Sequence, residues 1–107
     1  MAIKVKTKSG VTRIKPEGEM SIYNAASMKP HLIDTLEKCD QMEIDLSTVN
    51  EIDSAGLQLL LLAKREAGNL GKPLRLINHS QATLEILNLY RMAGHFDDHS
   101  TINRKGT

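Results

Sequence analysis

Ser54 is the residue at which the sequence pattern points to chemistry. It follows Asp53 at the end of an apolar stretch, and Ala55, Gly56 and a leucine-rich segment come next. A serine between a strand and a helix can be a catalytic nucleophile, an acceptor of phosphate or a helix cap. As a cap, its oxygen would accept a hydrogen bond from a free backbone N–H, and Asp53 could do this equally well.

A catalytic role for Ser54 would require a nucleophile elbow and a base. The elbow has small residues on both sides of the serine, G-x-S-x-G, but Ile52 stands two positions before Ser54. His79 is the best-placed histidine for the base. An acidic pocket of Asp45 and Asp53, for phosphoryl transfer to aspartate, would be a further alternative. We expect no catalytic residue and no enzymatic activity.

Motifs for nucleotides and metals are missing from the sequence. It contains neither G-x-x-x-x-G-K-[ST] nor G-x-G-x-x-G, so no loop is expected to hold phosphates. Histidine, cysteine and carboxylate residues do not recur at the spacing of metal ligands. We therefore expect no cofactor and no metal site.

Composition places the chain among ordinary globular domains. Its 107 residues predict a single domain spanning 1–107, with residues 97–107 as a frayed tail in which Ile102 anchors a short strand. A net charge of +1 and 3% aromatic residues give no reason to expect nucleic acid as a partner. The single Cys39 cannot form an internal disulfide. No signal segment is visible and the longest apolar run is residues 59–63, so we expect a cytoplasmic protein without membrane insertion.

Four strands are predicted from short alternating or apolar runs. The first two form a hairpin around Ser9-Gly10, and the lysines of the first strand are expected to be solvated charges at a sheet edge. A turn through Ser47, Thr48 and Asn50 is expected after the third strand. The predicted strands are residues 3–8, 11–15, 42–46 and 74–77.

Three helices are predicted between and after these strands. In the first, Pro30 leaves two alternatives open: a start near Lys29, or a kink at the proline. The second should be covered on more than one side, with residues 57–62 in the core. Gly71 ends the second, and Ser80 caps the third, which should run to about Met92. The first two predicted helices span residues 24–39 and 55–70.

The order of the elements indicates the fold class. Strands separated by helices of this length imply right-handed parallel crossovers. We therefore predict an α/β sandwich, in which a mixed, mostly parallel sheet has helices packed against it. Ser54 would then lie at the carboxyl end of a strand, where open α/β sheets place their ligands.

Residues 42–63, MEIDLSTVNEIDSAGLQLLLLA, resemble the signature of the STAS domain family, the fold of bacterial anti-anti-sigma factors. The family pattern is an apolar strand, D-L-S-x-V, then I-D-S-[SAG]-G-L and a helix. Three further segments extend the resemblance over nearly the whole chain: GEM at 18–20, KPLRLIN at 72–78 and LNLYRMAGHF at 87–96. The resemblance implies a STAS-like sandwich.

The resemblance also implies a functional edge around Ser54. In phosphorylatable members the serine after the aspartate accepts phosphate, and Ser54 occupies that position. Ser21 stands where many of those members have an aspartate. The implied partner-binding residues are Asp53, Ser54, Ala55, Gly56, Ser21, Tyr23 and Asn24.

The function implied by the resemblance is that of an anti-sigma factor antagonist in a partner switch. The unphosphorylated protein would bind an anti-sigma factor with a histidine-kinase-like ATPase fold. That partner would phosphorylate Ser54 and be released, and a PP2C-type phosphatase would reset the serine. The alternative is a non-switching STAS adaptor subunit of a chemotaxis-linked signalling system or of a phospholipid-transport ABC complex.

Overall fold

The structure is a computed structural model, and it describes residues 2–90. These form five strands and three helices: β1 (Ala2–Lys8), β2 (Val11–Met20), α1 (Ala25–Lys38), β3 (Gln41–Asp45), β4 (Val49–Ile52), α2 (Ser54–Leu70), β5 (Leu74–Ile77) and α3 (Gln81–Leu89). Three predictions lie outside the described residues: the end of the third helix at Met92, the tail at 97–107 and the strand at Ile102.

The sheet is mixed and mostly parallel, as predicted. Strand β1 pairs antiparallel with β2, whereas β2 with β3 and β3 with β5 are parallel, in the order β1-β2-β3-β5. Strand β4 pairs in parallel with the end of β2. The helices pack against the sheet, with α1 beside α2 and α3 against β4. The predicted fold class is therefore confirmed.

Strand β4 is the element that the sequence did not predict. It lies where the turn was expected to continue through Asn50, and only Ser47 and Thr48 form the turn. β4 has four residues and only Val49 is buried, so its alternation is too short to be recognised. Its partner β2 shifts register between Gly18 and Glu19, where Gly18 has a φ of 95°. Glycine adopts this left-handed conformation without steric cost.

Helix α1 begins at Ala25, so the predicted alternative of a start near Lys29 is wrong. Pro30 lies inside the helix and removes the N–H that would bond to the carbonyl of Ala26. Both Ala26 and Pro30 are exposed, so water can solvate that carbonyl.

The carboxyl end of α1 is closed by a side chain from a distant part of the chain. Lys72 Nζ, just before β5, donates to the carbonyl oxygens of Leu36 (2.9 Å) and Glu37 (2.8 Å). These carbonyls belong to the last turn of the helix, where backbone acceptors have no intrahelical partner and cations are favourable. Lys72 therefore joins the end of α1 to the start of β5.

One core lies between the sheet and the helices. Helix α1 contributes Met28, Leu32 and Leu36, one turn apart. In α2, the residues Leu57, Leu59 and Leu60 are buried, whereas Leu61 and Leu62 are half-buried at the edge of the core. The expectation that residues 57–62 are core is thus confirmed for the three buried leucines only. Among residues 2–90, no helix is both long enough and apolar enough to cross a bilayer.

We predict that Leu60→Ala lowers the free energy of unfolding by about 2–5 kcal/mol, because it leaves a cavity in the core. Leu60 is 1% exposed. The matched control is Gln58→Ala on the exposed face of the same helix, with an expected change within about 0.5 kcal/mol. Urea unfolding of the three proteins measures both. Equal midpoints for Leu60→Ala and Gln58→Ala would contradict the buried position of Leu60.

Candidate functional site

Ser54 is the first residue of α2, and the residue that caps this helix is Asp53. Its Oδ1 accepts hydrogen bonds from the N–H groups of Ala55 (2.9 Å) and Gly56 (3.1 Å). Of the two capping residues that the sequence allowed, the structure therefore selects Asp53. Ser54 is exposed, and the described residues offer its hydroxyl no hydrogen-bond partner.

The second carboxylate oxygen of Asp53 binds the loop that joins β2 to α1, residues 21–24. Asp53 Oδ2 accepts from the N–H of Ile22 at 3.0 Å, and the Asp53 N–H donates to the carbonyl of Met20 at 3.2 Å. The Ile22 N–H, together with those of Gly56 and Ala55, lowers the pKa of the Asp53 carboxyl against the opposing effect of burial. One carboxylate thus joins the start of α2 to the β2–α1 loop.

The β2–α1 loop is held in shape by its own polar side chains. Ser21 is buried; its hydroxyl donates to the Glu19 carboxylate at 2.5 Å and accepts from the Tyr23 N–H at 3.2 Å. Asn24 accepts from the Ser21 N–H at 2.8 Å and donates to the Glu19 carbonyl. Ser21 therefore lies beneath the surface, whereas the side chains of Ile22 and Tyr23 are 69% and 90% exposed.

Gly56 allows α2 to approach the end of β2. A Cβ at this position would overlap the carbonyl oxygen of Met20 and would lie 2.9 Å from Ile52 Cγ1. Real Cβ atoms do not approach other atoms within 3.0 Å. Gly56 is also buried, so of the four predicted residues at the start of α2, only Ser54 is exposed. The glycine is required for the close approach of helix and strand.

The described residues do not assemble the alternative sites that the sequence suggested. Within residues 2–90 no side chain accepts a hydrogen bond from the Ser54 hydroxyl as a base would, and His79 lies in the segment between β5 and α3. Asp45 and Asp53 line different cavities, so they form no shared carboxylate pocket. Within residues 2–90, no three histidine, cysteine or acidic side chains come together as metal ligands would.

Asp45 accepts hydrogen bonds from two segments that follow different strands. It accepts hydrogen bonds from the Ser47 N–H (2.9 Å) and the Asn78 amide (3.2 Å), which link the β3–β4 turn to the residue after β5. Burial acts to raise the pKa of Asp45, but the hydrogen bonds from Ser47 and Asn78 and the charge of Lys15 outweigh it and lower that pKa.

A groove of about 500 Å³ opens beside Asp53, between the β2–α1 loop, β4 and α3. The sequence had placed Ser21, Tyr23 and Asp53 at this edge. The structure adds seven lining residues: Glu19, Glu51, Ile52, Ala82, Glu85, Ile86 and Leu89. The four from α3 have the spacing i, i+3, i+4, i+7 of one helix face. In the sequence, that spacing identifies one face of a helix, but only the structure shows that this face lies next to β4.

We predict that Gly56→Ala lowers the free energy of unfolding by about 2 kcal/mol or more, because the added methyl overlaps the backbone of β2. Gly68 is the matched control in the same helix, because a Cβ added there would have no described atom within 4 Å. Gly68→Ala should be neutral or should stabilise the protein by up to about 1 kcal/mol. Urea unfolding compares the two; a Gly56→Ala protein as stable as Gly68→Ala would contradict the close approach.

We predict that Asp53→Asn lowers the free energy of unfolding by about 1 kcal/mol at neutral pH, and by less in acid. Because the folded-state pKa of Asp53 is lowered, its contribution is complete above the unfolded-state value of about 3.9. It is lost as the pH falls through the folded-state pKa. The difference between wild type and Asp53→Asn should therefore be constant above about pH 5 and shrink below about pH 4.

The control for this pH dependence is Asp34→Asn on the exposed side of α1. Thermal unfolding across this pH range measures both substitutions. A wild-type advantage over Asp53→Asn that grew on acidification would contradict the proposed hydrogen bonds to the charged carboxylate.

Comparison with known proteins agrees with the fold. No curated protein sequence matches significantly. A solved anti-sigma factor antagonist from Mycobacterium paratuberculosis is 20% identical, with a TM-score of 0.78 over 94% of this chain and 86% of that chain. The Bacillus cell fate determinant SpoIIAA in its phosphorylated form is 15% identical, with a TM-score of 0.70 over 89% of this chain and 87% of that chain. The unphosphorylated form of the anti-sigma factor antagonist SpoIIAA is also 15% identical, with a TM-score of 0.66 over 82% and 83%.

At these identities the structural likeness establishes the fold alone. Family membership is established by the sequence, because residues 3–98 match the family described as "Mlab, STAS domain". That match includes nearly the whole of the described sheet, the Asp53 cap and Ser54. The chain therefore belongs to the STAS domain family.

Proposed function

We propose that this protein is an anti-sigma factor antagonist that acts in the cytoplasm by a phosphorylation-controlled partner switch and has no catalytic activity. The observation that carries the proposal is the Ser54 hydroxyl, which is exposed and has no hydrogen bond to a described residue beside the Asp53 cap. SpoIIAA, whose structure is similar, is known in a phosphorylated and an unphosphorylated form, which supports control by phosphorylation on this fold. The proposed partner is an anti-sigma factor with a histidine-kinase-like ATPase fold.

In the proposed reaction, Ser54 Oγ attacks the γ-phosphorus of ATP held by the partner. The new bond from Oγ to the γ-phosphorus forms, the bond from that phosphorus to the leaving oxygen of ADP breaks, and the hydroxyl proton passes to a base that the partner kinase supplies. Phosphate at the first turn of a helix is compatible with the fold, because the helix dipole favours negative charge there. Asp53, not Ser54, caps α2, so modification of the serine removes no hydrogen bond on which the helix start depends. A PP2C-type phosphatase would hydrolyse the ester and restore the serine.

Release of the partner would follow from the negative charge of the phosphate. Phosphoserine carries a charge of about −1.5 to −2 at neutral pH. Its neighbour Asp53 is itself a carboxylate whose charged form is stabilised by backbone N–H groups, so the phosphate would stand beside a second negative charge. Desolvating this group in a close-fitting interface costs free energy, and each 1.4 kcal/mol lowers the affinity about tenfold.

The second candidate is a non-switching STAS adaptor subunit, of a chemotaxis-linked system or a phospholipid-transport ABC complex. Two observations favour it. The matching family carries the description Mlab, and not that of the anti-sigma factor antagonists. Ser21, which stands where many phosphorylated members have an aspartate, is buried and bonded within the β2–α1 loop. An adaptor would use the same edge of the protein without modification of Ser54.

We predict that Ser54→Ala binds the partner as tightly as the unmodified wild type, and that Ser54→Glu binds at least about tenfold more weakly. Both should fold, because Asp53 still caps α2 and a carboxylate suits a helix N-terminus. The matched control is Asn69→Asp, which adds the same charge at an exposed position near the far end of the same helix. It should bind like wild type.

The measurement is isothermal titration of each variant with the proposed partner, an anti-sigma factor with a histidine-kinase-like ATPase fold, together with mass spectrometry of wild type purified from cells. The expected results are phosphate on Ser54 of the wild type and, among the variants, weak binding of Ser54→Glu only. If Ser54→Ala and Ser54→Glu both bind like wild type and Ser54 carries no phosphate, the switch is refuted and the adaptor takes its place.

A further inference from the structure

The groove beside Asp53 has apolar lining residues and large exposed apolar side chains at its margin. Ile52 of β4 and Ile86 of α3 both line it. At the margin, Tyr23 is 90% exposed and Leu89 is 76% exposed. Ile22, next to Tyr23, is 69% exposed. Large apolar side chains that cluster around a groove of this size are typical of a surface that another protein covers.

The same groove is strongly acidic. Its described lining residues include four carboxylates and no lysine, arginine or histidine: Glu19, Glu51, Asp53 and Glu85. The whole chain has a net charge of +1, so this acidity is local. Every ion pair found within residues 2–90 involves Glu17 or Glu43, which do not line the groove. The groove carboxylates are therefore not neutralised by described cations.

Two of the four carboxylates are available to a ligand. Asp53 is occupied by backbone N–H groups, and Glu19 accepts the Ser21 hydroxyl. The Glu51 carboxylate has no hydrogen bond with a described residue, and the Glu85 carboxylate accepts one from the Gln81 amide at 3.0 Å. Glu51 is exposed on β4 and Glu85 is exposed on α3. A ligand in the groove would meet negative charge from both β4 and α3.

We propose that this groove binds a cationic, apolar segment of a partner protein, with arginine or lysine against Glu51 and Glu85 and aliphatic side chains over Ile52 and Ile86. The carboxylates repel phosphate headgroups and nucleic acid, whereas charge complementarity favours a basic peptide. The proposal rests on the proposed function for the identity of the partner. It extends the contact surface from the start of α2 to α3.

The groove and Ser54 would affect the partner through different interactions. Ser54 is not a lining residue of the groove, whereas its neighbour Asp53 is. A phosphate on Ser54 would not repel a cation in the groove. Its effect on the partner would come from the part of the interface that covers the start of α2. Groove binding and switching can therefore be measured separately.

The test uses the full chain and a short synthetic peptide of alternating arginine and leucine, followed by fluorescence anisotropy and by NMR of the protein amides. The largest shifts should fall on residues that line the groove from α3, such as Ala82 and Ile86. Glu51→Gln and Glu85→Gln should each weaken the peptide about two- to threefold, and the double variant about fivefold or more. Leu89→Ser should weaken it about threefold or more. Raising the salt concentration should weaken binding to wild type more than to the double variant.

Three controls accompany these variants. Glu37→Gln removes an exposed carboxylate from α1, outside the groove, and should bind like wild type. A peptide with glutamate in place of every arginine should not bind. Ser54→Glu should bind the arginine peptide at least as tightly as wild type, even though the proposed switch predicts that it loses the complete partner.

The proposal is overturned if the shifts lie outside the groove, if Glu51→Gln and Glu85→Gln bind like Glu37→Gln, or if the glutamate peptide binds equally. It is also overturned if the groove amides shift on dilution of the protein alone, because a second copy of the chain would then be the occupant. A failure of the partner switch leaves the peptide result unchanged, since the peptide assay does not depend on modification of Ser54.

Discussion

Two oxygens of one carboxylate, that of Asp53, hold the start of α2 and the β2–α1 loop in a fixed relation. Each oxygen accepts from backbone N–H groups, so the geometry depends on main-chain atoms and not on flexible side chains. Gly56 permits the approach that these hydrogen bonds require, because any larger residue would meet the β2 backbone. The exposed positions at this edge, Ser54 and Tyr23, are thus presented by a rigid frame. Such preorganisation lowers the entropic cost of binding a partner.

Charge is distributed unevenly over the protein, with a basic region on β1 and an acidic region in the groove. Strand β1, at the edge of the sheet, carries the exposed Lys4, Lys6 and Lys8, as the alternation in the sequence indicated. The groove by contrast is lined by acids from β4 and α3. A basic partner segment would be drawn to the groove and repelled by the lysines of β1. The unequal distribution therefore favours one orientation of such a partner.

The sequence predicted most of the fold, because most elements carry strong local signals. Residues 74–77 were identified as a strand with the observed bounds, and Gly71 ends α2 in a left-handed conformation, as a glycine stop signal requires. Strand β4 and the extension of β2 to Met20 were missed, because their pairing is non-local and the bulge at Gly18 interrupts the alternation. For the site, Ser54 was placed by pattern. The roles of Ser21 and of the α3 face depend on tertiary contacts, which one sequence does not reveal.

The bond from Lys72 to the end of α1 has a consequence for the order in which the chain acquires structure. During synthesis on the ribosome, α1 emerges before residue 72 has been made. The carbonyl groups of its last turn therefore have no bond from Lys72, which lies 35 residues after Glu37, until that residue has been added. Strand β5, which follows Lys72, also completes the pairing of β3. A nascent chain that stops short of this point has neither a closed helix nor a fully paired central strand. The end of α1 and the pairing of β3 are therefore completed only once residues 72–77 have been made.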